Sequence, residues 1–185
     1  MSSEPSEFGW NYGYRVARAS VAFLWRATAL NHGERVGYLM ENEGETLVRR
    51  LLDILYEPSG ELVGLDEVLA EDTYDNVSGQ RGIAMWRNVG GWMRQTFADA
   101  AVEVHQIMRK DDQVMVWMTA TVTHIGSGLP RLQGIAPTGK RVTWPQVHMF
   151  RVAQGRLVEH WAVRDDYAMV EQVVGAGPLV APPNH

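Results

Sequence analysis

Two hydrophobic periods divide the chain. Up to about residue 97 the apolar positions recur at helical spacing, and from residue 101 to 165 they alternate. Tyr14, Val16, Ala17, Val21, Leu24, Trp25, Thr28 and Leu30 give residues 14–31 one broad apolar face, which predicts a helix ending at His32-Gly33. Gly37 opens a short segment, Tyr38-Leu39-Met40. Asn42 then reads as an N-cap with Glu45 as its capping-box partner. The amphipathic helix that follows rests on Leu47, Val48, Leu51, Leu52, Ile54 and Leu55 and stops at Pro58-Ser59-Gly60. Leu65, Val68 and Leu69 suggest a second short helix. Asp72-Thr73-Tyr74-Asp75-Asn76 reads as an extended segment or turn, and Gly79-Gln80-Arg81-Gly82 as a loop. Trp86, Val89, Trp92, Met93 and Phe97 predict a third helix from about Ile83 to Phe97, with Gly90-Gly91 inside it.

Beyond this point the period becomes two. Residues 101–108 alternate, Asp111-Asp112 marks a turn, and residues 113–124 are rich in β-branched and aromatic side chains, as a long strand requires. Gly and Pro crowd residues 126–139, a loop. Residues 141–152 form another long strand, Gln154-Gly155 a two-residue hairpin turn, Leu157 to Asp165 a last strand, and Tyr167 to Val174 a terminal helical turn. Helices followed by antiparallel strands give an α+β fold, with helices packed on one face of a strongly curved sheet. Long bent strands over helices leave a conical hollow.

A length of 185 residues suits one domain with flanking segments. Residues 1–40 read as an N-terminal extension (a tail and a helix), 41–177 as the folded domain and 178–185 as a C-terminal tail. The net charge of −5, with no run of Lys or Arg, excludes nucleic acid and anionic membrane as expected partners. There is no Cys, so disulfides and thiolate metal sites are excluded, and a cytoplasmic location fits. The apolar run Val21 to Trp25 is too short to span a bilayer, and the acidic start carries no secretory pattern. Seven Trp and nine Met suit an ordinary core, or the aromatic lining of a cavity for a flat hydrophobic ligand.

Strand alternation selects the candidate chemistry. Trp144, Gln146, His148 and Phe150 share one face of their strand. In the last strand Glu159, Trp161, Val163 and Asp165 share a face, and His160, Ala162, Arg164 and Asp166 the other. The face with Trp161 is larger and more apolar, which assigns it to the interior and places Asp165 beside aromatic rings. A desolvated carboxyl has a raised pKa, as a general acid or base near neutral pH requires. The plainer role for Asp165 is to cap the helix near Tyr167, for which Asp166 serves equally well. His148, on the inward face, is its partner in proton transfer. Tyr74 and Asn76, two apart in an extended segment, share a face and offer a hydroxyl and an amide to a carbonyl oxygen, or else form an Asx turn. His105 and His124 read as edge or surface residues. Trp86, Trp144 and Trp161 would wall the cavity, with Gln146 beside them. No His pair has metal-ligand spacing, so neither a metal nor a cofactor is expected. No nucleotide-binding or serine-hydrolase motif occurs.

The stretch from Gly134 through Pro137-Thr138-Gly139-Lys140, the strand His148-Met149-Phe150-Arg151, the hairpin Gly155-Arg156, and Trp161 with Asp165 four residues on resemble the SnoaL-like polyketide cyclase family, within the nuclear transport factor 2-like superfamily. The resemblance implies a cone-shaped α+β barrel, a homodimer or higher homo-oligomer, and an aspartate acid/base in cofactor-free intramolecular aldol cyclisation, a lyase or isomerase of the polyketide (ester) cyclase type. Asp165 falls at the aspartate position, and His148 and Asn76 match polar cavity positions. Residues 1–40 lie outside the family domain. Related limonene epoxide hydrolases carry a Tyr-x-Asn like Tyr74-Asp75-Asn76 but need an Arg-x-Asp on a middle strand, where this chain has Val116-Trp117-Met118-Thr119-Ala120-Thr121. The expected activity is therefore a cyclase or isomerase acting on a hydrophobic, carbonyl-bearing small molecule. The alternatives are a non-catalytic binding protein with the same pocket and an epoxide-hydrolase-like enzyme.

Overall fold

A computed structural model describes residues 32–57 and 62–175, with side chains from Glu43 onward. The chain divides between Leu39 and Met40, and all of the described strands belong to the second unit. The helix expected over 14–31 and both terminal tails lie outside the described residues.

Helix α1 runs from His32 to Tyr56 without a break. Its backbone continues through Asn42, so the expected N-cap there is not one. Leu47, Val48, Leu51 and Leu52 are buried from the exposed Glu43, Arg49 and Arg50, as the amphipathic pattern demands. Gly44 lets this helix lie close on the sheet, since a Cβ there would stand 2.7 Å from Val114 Cγ2. The short α2 (Leu65–Val68) leads into strand β1 (Leu69–Asp75), and β2 (Gln80–Arg81) returns against it. Helix α3 (Ile83–Thr96) buries Met85, Trp86 and Gly90, where a side chain at residue 90 would collide with Leu62.

Four long strands follow: β3 (Phe97–Lys110), β4 (Gln113–His124), β5 (Arg141–Ala153) and β6 (Arg156–Arg164), with a 3₁₀ turn at Pro130–Leu132. Helix α4 (Asp166–Val174) is the last of the described elements. The six strands form one open sheet in the order β2-β1-β6-β5-β4-β3. Every pairing is antiparallel except β1 with β6, which makes the sheet mixed. The expected α+β cone with helices on one face is what the second unit adopts. Strand β3 begins earlier than residue 101, and β1 lies where an extended segment or turn was expected.

The inner face of β4 reads Val114, Val116, Met118, Ala120, Val122 and His124, all buried. His124 is therefore a core residue and not an edge residue. Its Nδ1 accepts the Thr138 N–H at 3.2 Å, which fastens the loop before β5. The turn joining β5 to β6 places Gln154 and Gly155 at φ of 51° and 69°. Two positive φ values in a row are the primed turn that a tight hairpin needs. Within that hairpin lies a bulge. Val152 faces Leu157, yet Arg151 faces Glu159, so Val158 has no partner.

Candidate active site

The hollow between the inner face of the sheet and helices α1, α3 and α4 is a cavity of about 240 Å³. Most of its wall is apolar: Leu51, Leu52 and Leu55 from α1, Met85, Trp86, Val89, Trp92 and Met93 from α3, Trp144 and Phe150 from β5, and Met169 from α4. Its polar side chains come largely from β1, β5 and β6, joined by Tyr56 at the end of α1.

These polar groups form a continuous hydrogen-bonded chain. Asp75 Oδ1 lies 2.7 Å from His160 Nδ1, and both side chains are sealed from solvent. The other ring nitrogen of His160, Nε2, is 2.9 Å from His148 Nδ1. His148 Nε2 is 2.9 Å from Gln146 Oε1, and Gln146 Nε2 is 3.3 Å from the Tyr56 hydroxyl. The second Asp75 oxygen accepts from the backbone N–H and hydroxyl of Ser78 in the exposed turn after β1. The imidazoles stack on one another at 5.2 Å and on Phe150, and Trp86 stands edge-on to His160 at 4.9 Å. Each ring orientation is thus fixed by packing and by hydrogen bonds at both nitrogens.

Burial sets the charge states. Desolvation, then the nearby His160 and Arg164, holds the pKa of His148 down at about 3, so its ring is neutral near pH 7. Desolvation also lowers His160, against the pull of Asp75. Burial raises the Asp75 carboxyl, but the bonds from His160 and Ser78 outweigh it and bring it down to about 2. The chain at neutral pH is a carboxylate followed by two neutral imidazoles. Beside it, burial raises the Tyr56 phenol. At the rim, Asp166 bridges Arg164 and Arg131. Among the described residues no three His, Cys, Asp or Glu side chains converge as metal ligands.

The structure brings together His148, Gln146, Trp144 and Trp86 as the inward face of β5 and the pattern of α3 imply. It does not bring in the other four. Trp161 faces out, opposite Met149, and the neighbouring Val163 is 78% exposed. The inward face of β6 is His160, Ala162 and Arg164, the reverse of the assignment by hydrophobicity. Asp165 is exposed outside the cavity, and its Oδ1 accepts from the Ala168 N–H at 3.0 Å, so it is the N-cap of α4. Tyr74 lies under the guanidinium of Arg81, 4.5 Å from its ring centre. Asn76 is exposed, and its backbone and side-chain N–H groups both donate to the His160 carbonyl. The cavity residue is the one between them, Asp75. Asn76 instead pins the backbone that carries His160.

An open, cone-like α+β sheet whose inner wall carries buried polar groups defines the nuclear transport factor 2-like class. Within that class, residues 45–173 match the SnoaL-like polyketide cyclase family, and the chain belongs to it. It is 27% identical over 107 residues to the nogalonic acid methyl ester cyclase of Streptomyces nogalater, a match covering 55% of this chain and 77% of that one. Among solved structures, IdmH from Streptomyces antibioticus is 28% identical with a TM-score of 0.55, over 69% of this chain and 98% of that one. TsrD from Streptomyces laurentii, 20% identical with a TM-score of 0.62 over 71% and 95% of the two chains, shares the fold.

Proposed function

We propose that this protein is a cofactor-independent cyclase or isomerase acting on a hydrophobic small molecule with an enolisable carbonyl. The observation that carries this reading is the buried chain Asp75–His160–His148 on the wall of an otherwise apolar cavity. A neutral imidazole backed by a second imidazole and a carboxylate is a general base with somewhere to send its proton. His148 takes the proton alpha to the carbonyl, and the charge comes to rest on His160 beside the Asp75 carboxylate. The flat rings of Trp86, Trp144 and Phe150 favour an aromatic or polycyclic ligand. The cyclase activity named for the Streptomyces nogalater relative, on a methyl ester, is of the same kind.

The test uses 2-tetralone, an aryl-fused ketone with acidic methylene protons, in D₂O. Wild-type protein should accelerate loss of those protons in the NMR spectrum. His148→Phe, which keeps a stacked ring, should lower the rate by about two orders of magnitude or more, the usual contribution of a positioned base. Exchange as fast with His148→Phe as with wild type would overturn the reading and leave a binding protein.

A further inference from the structure

The hydrogen-bonded chain has two complete donor assignments, and the Gln146 amide selects between them. An amide is nearly the same shape with its N and O ends exchanged, so either end can face His148. In the structure Oε1 faces His148 and Nε2 faces Tyr56. His148 Nε2 must then be the donor, so its Nδ1 accepts from His160 Nε2–H. One further proton must lie between His160 Nδ1 and Asp75 Oδ1. That direction belongs to a proton-loaded chain. With Asp75 ionised and both rings neutral, the direction reverses: Gln146 N–H donates to His148, His148 Nδ1–H to His160, and His160 Nδ1–H to Asp75.

We infer that a half-turn of the Gln146 amide couples proton uptake by His148 to release of the Tyr56 hydroxyl as a hydrogen-bond donor to the ligand's oxygen. The inference rests on the reading of His148 as base. Before the reaction Gln146 Nε2–H occupies the His148 Nε2 lone pair, and Gln146 Oε1 accepts the Tyr56 O–H. The amide must leave that lone pair before a proton can enter. Its half-turn presents Oε1 to the new Nε2–H and turns Nε2–H toward the Tyr56 oxygen, freeing the phenolic hydrogen for the cavity that Tyr56 lines.

The balance closes. The substrate C–H proton goes to His148 Nε2, and its electron pair becomes the enolate. The His148 Nδ1 proton passes to His160 Nε2. His160 is left as an imidazolium on the Asp75 carboxylate, and the enolate oxygen meets the Tyr56 O–H. Tyr56 thus acts as the oxyanion donor and becomes available only when negative charge has formed. Gln146, which cannot itself carry a proton onward, is a positioning residue. The other charged groups facing the chain are Arg164 from β6, Asp166 from α4 and Arg131 from the loop, while α3 contributes none to the cavity wall.

The ring nitrogens of full-length protein labelled with ¹⁵N-histidine read the direction without any substrate. At pH 7 both His148 and His160 should be neutral and carry the proton on Nδ1. A neutral pair with His148 protonated on Nε2 would overturn the inference. In Gln146→Glu, residue 146 can only accept, so His148 should switch to the Nε2–H form and His160 should become doubly protonated at pH 7. An unchanged His160, or an imidazolium on His148 itself, would overturn it. If Gln146→Glu does not fold, the wild-type tautomers decide. In 2-tetralone exchange, Tyr56→Phe should lower the rate at least about tenfold with little change in KM, as loss of one oxyanion donor does. A wild-type rate with Tyr56→Phe would remove the donor role. Failure of wild-type exchange would instead remove the catalytic reading and leave the tautomer result standing.

Discussion

Asp75 Oδ1 and His160 Nδ1 meet at 2.7 Å with both side chains buried, and Ser78 in the solvent-facing turn holds the other carboxylate oxygen. The carboxylate thus places a full negative charge directly on His160, the ring that bonds to His148. Asp75→Asn keeps the shape and removes that charge. Hydrogen bonds to charged groups contribute about 1.5–3 kcal/mol. Urea unfolding of Asp75→Asn should therefore show a loss of about 2 kcal/mol with an unchanged slope m, together with loss of 2-tetralone exchange. A midpoint equal to that of wild type would show that the carboxylate is not held as described.

Stability should fall with acidification well above the usual carboxylate range. His148 is held at about 3 against an ordinary 6.5, chiefly by burial. Between those values the unfolded chain binds a proton that the folded one refuses, so the stability present above pH 6.5 drains away as pH falls toward 3. The limiting slope is about 1.4 kcal/mol per pH unit for each such group. His160, lowered for the same first reason, adds to the slope. Asp75, lowered from 3.8 to about 2, removes further stability as pH falls between those two values. Urea midpoints at pH 7, 6, 5 and 4 should decline steadily in wild type and less in His148→Phe. Parallel declines in the two proteins would contradict the buried, neutral state of His148.

Counting back from the hairpin turn shows why half of the site was legible and half was not. Ala153 faces Arg156 and Val152 faces Leu157, so simple counting sets His148 opposite Trp161 and places both on one face. The extra residue Val158 moves the register by one, and His148 faces Ala162. A one-residue slip sends every later side chain of a strand to the other face. Hydrophobicity could not correct this, because the outer face of the sheet is apolar too: Trp117 and Met108 are exposed there, and Trp161 and Met149 lie opposite one another. Strand β5 has no bulge in its pairing with β4, so Trp144, Gln146, His148 and Phe150 were readable from alternation alone. The signal for His160 was its alternation with Ala162 and Arg164, a face too polar to pass as interior. For Asp75 it was its place between Tyr74 and Asn76. The fold was legible because period and turn chemistry agree along most of the described chain.

Asp165 supports α4 by accepting the Ala168 N–H, and α4 carries Asp166 and Met169 to the cavity wall. Asp165→Ala removes an N-cap, a loss of about 1 kcal/mol. For a chain of this size that lowers Tm by about 2–4 °C. Thermal unfolding should show this drop while 2-tetralone exchange stays at the wild-type level. Loss of exchange at an unchanged Tm would restore the proton-transferring role to Asp165.

The loop after β4 brings Leu129, Pro130 and Arg131 to the cavity mouth, and its position depends on a contact that only glycine permits. Ile125 and Gly126 donate to the Thr96 carbonyl, and Leu129 N–H donates to the Thr96 hydroxyl at 2.7 Å. The loop is thereby laid along the last turn of α3. A Cβ on Gly126 would come within 2.2 Å of the Gln95 carbonyl oxygen, a backbone atom that cannot swing aside as a flexible side chain would. Gly126→Ala must therefore push the loop from the helix end and weaken the Thr96 bonds together. Overpacking of this kind costs about 1–3 kcal/mol, and the lost bonds place Gly126→Ala near the upper figure. Urea unfolding measures that loss. Because the displaced loop also forms the mouth, KM for 2-tetralone should rise while His148, fixed from β5 and β6, keeps its tautomer. A variant as stable as wild type would mean that the loop does not rest on α3 through Gly126.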